Sequence, residues 1–90
     1  MANFTKQLAS YYGSYGIRIN SVVAGGVKGH VKGSKKKQNK IFLKNYCLKV
    51  PLKRLAKPED IANPIIFLIS NNSNYITGTN LIVDGGWSAW

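Results

Sequence analysis

Five tyrosines, one histidine, one cysteine and three carboxylates are the side chains of this chain best suited to moving a proton, attacking a carbon or holding a metal. A tyrosine serves as general acid or base near neutral pH when a lysine four residues later shares its helix face and lowers the phenol pKa. Four residues after Tyr11, Tyr12, Tyr15, Tyr46 and Tyr75 stand Tyr15, Gly16, Ile19, Val50 and Thr79. None is lysine. His30 lies between glycines with no other His, Cys or acid nearby, and is expected to be a solvated loop residue. With one cysteine, Cys47, a disulfide within the chain is impossible and a thiolate metal site is disfavoured. Cys47 is expected to be a small packing residue. No Ser–His–Asp grouping is present. A dinucleotide site needs a glycine-rich turn between a strand and a helix, where backbone amides meet a pyrophosphate. Gly25-Gly26-Val27-Lys28-Gly29 comes nearest, and its spacing is wrong. The sequence therefore assigns no catalytic residue and no metal ligand.

Ninety residues allow one small domain with a limited core. A content of 44% hydrophobic and 18% charged residues is that of a globular segment. No apolar run approaches the roughly 20 residues of a membrane span. The N-terminus lacks a basic-then-apolar signal pattern, so a cytoplasmic location is the default expectation. The net charge of +10 invites a nucleic-acid role. The charge is concentrated at Lys28, Lys32, Lys35, Lys36, Lys37, Lys40 and Lys44. Aromatic residues do not interleave with the Lys35–Lys37 run, and no arginine stands there to read bases, which argues for a solvated loop instead.

The elements that must position any site follow from periodicity. Phe4, Leu8 and Tyr11 or Tyr12 predict one buried face of a helix over Ala2–Tyr12, with Gly13 as a left-handed cap. Ile17–Val23 predicts a strand covered on both faces, hence a parallel one. Ala24–Gly29 is a turn at that strand's carboxyl end, where open α/β sheets bind ligands. Gly29–Asn39 is expected to be the mobile segment. Asn39 is a candidate cap for a short helix to about Lys49, with Ile41, Phe42, Tyr46 and Leu48 as its apolar residues and Pro51 as its stop. Pro58-Glu59-Asp60 starts a further helix, suited by its proline and its two carboxylates to the positive end of a helix dipole. Ile61, Ile65, Leu68 and Ile69 share one face of it, and Pro64 should bend it slightly. Asn71–Asn74 is a turn. Ile76–Val83 is the second strand, parallel to the first by a crossover, and Gly85-Gly86 ends it.

The order and spacing of several modest motifs resemble the C-terminal portion of the short-chain dehydrogenase/reductase family. Phe4-Thr5-Lys6-Gln7-Leu8-Ala9 looks like the stretch after the family's catalytic tyrosine–lysine segment, and Gly16–Val22 is similar to its sixth strand. Ala24-Gly25 stands where the family usually has Pro-Gly. Pro51-Leu52-Lys53-Arg54 and Lys57-Pro58-Glu59-Asp60-Ile61-Ala62 resemble the lead into the last long helix. Tyr75-Ile76-Thr77-Gly78 and Val83-Asp84-Gly85-Gly86-Trp87 resemble the seventh strand and its exit.

The resemblance implies an α/β fold, namely the C-terminal part of a Rossmann-type doubly wound parallel sheet. Residues 1–90 would form part of a single domain whose cofactor-binding N-terminal half is absent from them. It implies an oxidoreductase moving a hydride between NAD or NADP and an alcohol or carbonyl substrate. Gly25 and Val27 would bind the nicotinamide through backbone atoms. Gly29 stands where a phosphate-contacting threonine is common. Gly29–Leu52 would be the substrate loop. The tail Gly86–Trp90 is similar to bacterial members acting on sugars or nucleotide-linked sugars. The partners implied are a small-molecule substrate, a second copy of the subunit and the missing N-terminal half. Alone, the chain should bind no cofactor and catalyse nothing. The competing expectations are a non-catalytic module that associates with a full-length homologue and, third, a basic nucleic-acid binder. Asp84 is expected to anchor a turn, Arg54 to serve as an ion-pair or carbonyl-binding residue, and Trp87 and Trp90 to pack.

Overall fold

The structure, a computed structural model, describes residues 2–29 and 40–89. The order is α1 (Ala2–Tyr12), a 3₁₀ turn (Gly13–Tyr15), β1 (Ser21–Ala24), α2 (Lys40–Lys49), α3 (Pro58–Ile69), a 3₁₀ turn (Asn71–Ser73), β2 (Asn80–Val83) and a final 3₁₀ turn (Trp87–Ala89). β1 and β2 pair in parallel, with Ser21 opposite Asn80 and Ala24 opposite Val83. They make one two-stranded sheet among the described residues.

Both strands are shorter than periodicity predicts, because side chains take over where the ladder would begin. Ile19 N–H donates to Thr77 Oγ1 at 3.0 Å and Thr79 N–H donates to Asn20 Oδ1 at 3.0 Å. Gly78 N–H donates to Ile19 O at 2.8 Å. Arg18 donates to Ile76 O at 3.1 Å and Ser70 O at 3.2 Å. The chain therefore stays extended from Ile17 to Asn20 and is stitched to 76–79 without regular pairing. Gly13 is not the left-handed cap: the helix tightens into the 3₁₀ turn, and Gly16, at φ 76°, adopts that conformation three residues later.

The buried face of α1 is offset by one position from the predicted stripe. Thr5 and Ala9 are buried, while Phe4 and Tyr11 are mostly exposed. Small residues are needed here because α1 lies against Gly78, where an added Cβ would sit 3.4 Å from Ala9 Cβ. In α2, Leu43, Tyr46 and Cys47 are half-buried, whereas Ile41, Phe42 and Leu48 stay exposed. In α3, Leu68 is buried, but Ile65, Ile66, Phe67 and Ile69 are exposed. This helix runs through Pro64 from Pro58 to Ile69. Its start is fixed by Asp60, whose carboxylate accepts Lys57 N–H at 2.8 Å while Asp60 N–H donates to Lys57 O at 2.9 Å. Its end is held by the buried Ser73 hydroxyl, within 2.8 Å of the carbonyls of both Phe67 and Leu68. The buried apolar residues among those described are Ala9, Val50 and Leu68. His30, Asn39, Trp90 and most of the lysine-rich segment lie outside the described residues.

Candidate functional site

The turn after β1 lies at the carboxyl end of the sheet and is held from three directions. Gly25 N–H continues the ladder by donating to Val83 O at 3.0 Å. Ala56 N–H donates to Gly26 O at 2.9 Å, and Lys28 N–H donates to Ala56 O at 2.8 Å, so Val27 and Ala56 form an isolated parallel bridge. The third hold is a side chain: Gly26 N–H donates to the Tyr46 phenol oxygen at 2.7 Å. Tyr46 is itself stacked on Trp87, with ring centroids 4.9 Å apart and planes 12° from parallel.

The glycines here answer to crowding. A Cβ on Gly25 would lie 2.9 Å from Asp84 Cα, and one on Gly26 would lie 2.7 Å from Tyr46 Cζ. Both positions require glycine for close approach, not for an unusual backbone conformation.

The peptide geometry aims Val27. Because the peptide is trans and planar, its N–H opposes the carbonyl of the preceding residue. Gly26 C=O is directed at Ala56, so Val27 N–H is directed to the other side. Lys28 N–H is directed at Ala56 O, so Val27 C=O also faces the other side. The Val27 N–H and C=O thus both lie on the flank opposite Ala56. Val27 and Gly25 sit in the same turn.

Beside this turn is a cavity of about 200 Å³ lined by Gly26, Tyr46, Arg54, Ala56, Asp60 and Asp84, among others. Arg54 pairs with Asp60 at 2.7 Å and also donates to Leu55 O at 3.1 Å. The Arg54 guanidinium, then the Lys57 amide, holds the Asp60 carboxyl below its ordinary value. Asp84 accepts Gly86 N–H at 2.9 Å and Ser88 N–H at 3.1 Å. Its carboxyl is also held low, first by the Ser88 side chain and then by those amides, against an opposing effect of burial. Both acids are therefore anionic braces; Asp84 anchors a turn and Arg54 makes an ion pair and binds a carbonyl, as expected of each. Among the described residues, no tyrosine–lysine pair lines the cavity and no group of His, Cys, Asp and Glu could hold a metal. Sequence reasoning missed Tyr46 as part of the site. Its partner Gly26 is 20 residues away, and no local spacing signals such a contact.

The family described as enoyl-(acyl carrier protein) reductase matches residues 1–88. The 7alpha-hydroxysteroid dehydrogenase of Paraclostridium sordellii is 41% identical over 87 residues, covering 96% of this chain and 32% of that protein. The chain belongs to the short-chain dehydrogenase/reductase family. Another member, the L-rhamnose 1-dehydrogenase (NAD(P)(+)) of Azotobacter vinelandii, is 39% identical over 79 residues. It matches 82% of this chain and 28% of its own length. A crystal structure of a short-chain dehydrogenase from Leptospira borgpetersenii with bound NAD+ superposes with a TM-score of 0.83 at 40% identity, covering 97% of this chain and 32% of that one. The chain spans about a third of the length of these relatives. Its helices and parallel strand pair are a portion of the Rossmann-type α/β fold of the short-chain dehydrogenase/reductases.

Proposed function

We propose that residues 1–90 act as the C-terminal part of one short-chain dehydrogenase/reductase domain, the N-terminal cofactor-binding half being supplied by other residues. The complete domain is an NAD(P)-dependent oxidoreductase acting on an alcohol or carbonyl substrate. The observation that supports this is the Gly25–Val27 turn, held at the carboxyl end of a parallel strand pair by Val83, Ala56 and Tyr46. Gly25 and Val27 form one wall of the nicotinamide pocket. The cofactor, when bound there, supplies or accepts the hydride. Residues from Gly29 to Leu52 form the substrate side, and the exposed faces of α1 and α3 meet the remainder of the domain or a second subunit. These residues fit only the nicotinamide end of the cofactor. The glycine-rich turn for the pyrophosphate and the Tyr-x-x-x-Lys acid–base pair are not among them. A sugar-like substrate fits the likeness to the rhamnose dehydrogenase, and a cytoplasmic place belongs to the same proposal.

The test is complementation. The purified chain, incubated with NADH or NADPH and a panel of ketones and sugars, should give no turnover, since losing the general acid–base alone costs on the order of 10²–10⁴ in rate. Co-expression with an N-terminal segment carrying the glycine-rich turn and the Tyr-x-x-x-Lys pair should give turnover. Turnover by the isolated chain contradicts the proposal, as does failure of the two segments to associate.

A further inference from the structure

We infer that Tyr46 is a positioning residue that ties the substrate-side helix α2 to the turn carrying Val27. The inference rests on the proposed function for what that turn does and for the place of α2 on the substrate side. Glycine has more backbone freedom than any other residue, and Gly26 immediately precedes Val27. Its two flanking peptides must both be held if Val27 is to keep one direction. The peptide after Gly26 is held by backbone, through Ala56 N–H to Gly26 O at 2.9 Å. The peptide before it is held by Tyr46, whose phenol oxygen accepts Gly26 N–H at 2.7 Å.

The contact has the marks of a fitted one. The phenol oxygen and ring carbon would lie 2.8 and 2.7 Å from a Cβ at Gly26, so this approach exists only because the residue is glycine. The same oxygen would lie 3.4 Å from a Cβ at Gly25. The ring is aimed by its stack on Trp87, from the segment after β2. Tyr46 therefore joins α2, the Gly25–Val27 turn and the post-β2 turn at one point. A displacement of α2, as a substrate arrives or leaves, is passed to the turn through this oxygen.

Amide hydrogen exchange on the full chain tests this, with Tyr46→Phe and Tyr46→Leu. The Phe variant keeps the ring against Trp87 and removes the acceptor. Its Gly26 amide should exchange about tenfold faster or more, as a part-buried donor left without an acceptor. The Gly25 amide, on Val83 O, and the Ala56 amide, on Gly26 O, should keep their protection, and Trp87 emission should be unchanged. The Leu variant should show the same Gly26 effect together with altered Trp87 emission. The inference is overturned if Gly26 exchange is unaffected in the Phe variant. It is equally overturned if all three amides loosen together, or if Gly26 has no protection in the unsubstituted chain. No cofactor enters the measurement. Failure here removes the brace and leaves the cofactor role of Gly25 and Val27 standing, while failure of that role leaves the brace intact.

Discussion

Single residues in this chain mostly hold backbone in place. Gly85 shows how tightly. Its φ is 65°, and a Cβ there would lie 2.7 Å from Cγ1 of Val50, a residue only 1% exposed. Gly85→Ala should therefore destabilise the fold by about 1–3 kcal/mol, through left-handed strain and overpacking together, read as a lower urea midpoint at fixed protein concentration. Asp60 and Asp84 set the acid limit. Both carboxyls are held below their ordinary value of 3.8 in the folded chain. A depressed folded pKa contributes stability that is present above the unfolded value and lost as pH falls through the folded one. The urea midpoint should thus be insensitive to these acids above about pH 5 and fall as pH drops below 4. The variant carrying Asp60→Asn and Asp84→Asn should start less stable at neutral pH and lose that acid dependence. An unchanged acid limb in this variant would show that the two braces are not responsible. The roles of Asp84 and Arg54 were legible in sequence because turn glycines and a helix start flank them. Tyr46 was not, because its work depends on a contact between α2 and a turn well before it in the chain.

At the scale of elements, the three helices and two strands were all legible, and what shifted was their edges and faces. α1 and α3 follow local rules: apolar periodicity, a proline and two acids at a helix start, and a glycine near a helix end. The strands shortened because Thr77, Asn20 and Arg18 compete for backbone groups that period-two alternation assigns to the ladder. The buried stripe of α1 moved to Thr5 and Ala9 because close packing on Gly78 favours small side chains, which hydrophobic periodicity does not weigh. α3 carries an internal cost of its own. Pro64 lacks the N–H that would bond one turn back, and its ring crowds the preceding carbonyl. Pro64→Ala should raise far-UV helicity and stabilise the fold by about 1–3 kcal/mol. Loss of stability on this substitution would mean that the ring itself packs against something worth more than the missing bond.

The molecule as a whole has more apolar surface than it can cover. Ala9, Val50 and Leu68 are the buried apolar residues among those described, while Ile69 is 75% exposed and Ile66 58%. Exposed faces of this kind mark surfaces that another segment or subunit covers. A two-stranded sheet also leaves outer backbone edges that readily recruit a further strand. The net charge of +10 opposes aggregation without filling either gap. The chain spans about a third of the length of relatives it matches, and these are the features that the proposed C-terminal part of a larger domain should show. Sedimentation of the purified chain combined with thermal unfolding tests this most directly. The account predicts self-association of the folded chain, seen as a species heavier than one chain. A compact monomer near the chain mass of 9.9 kDa, unfolding in one cooperative step, would contradict it.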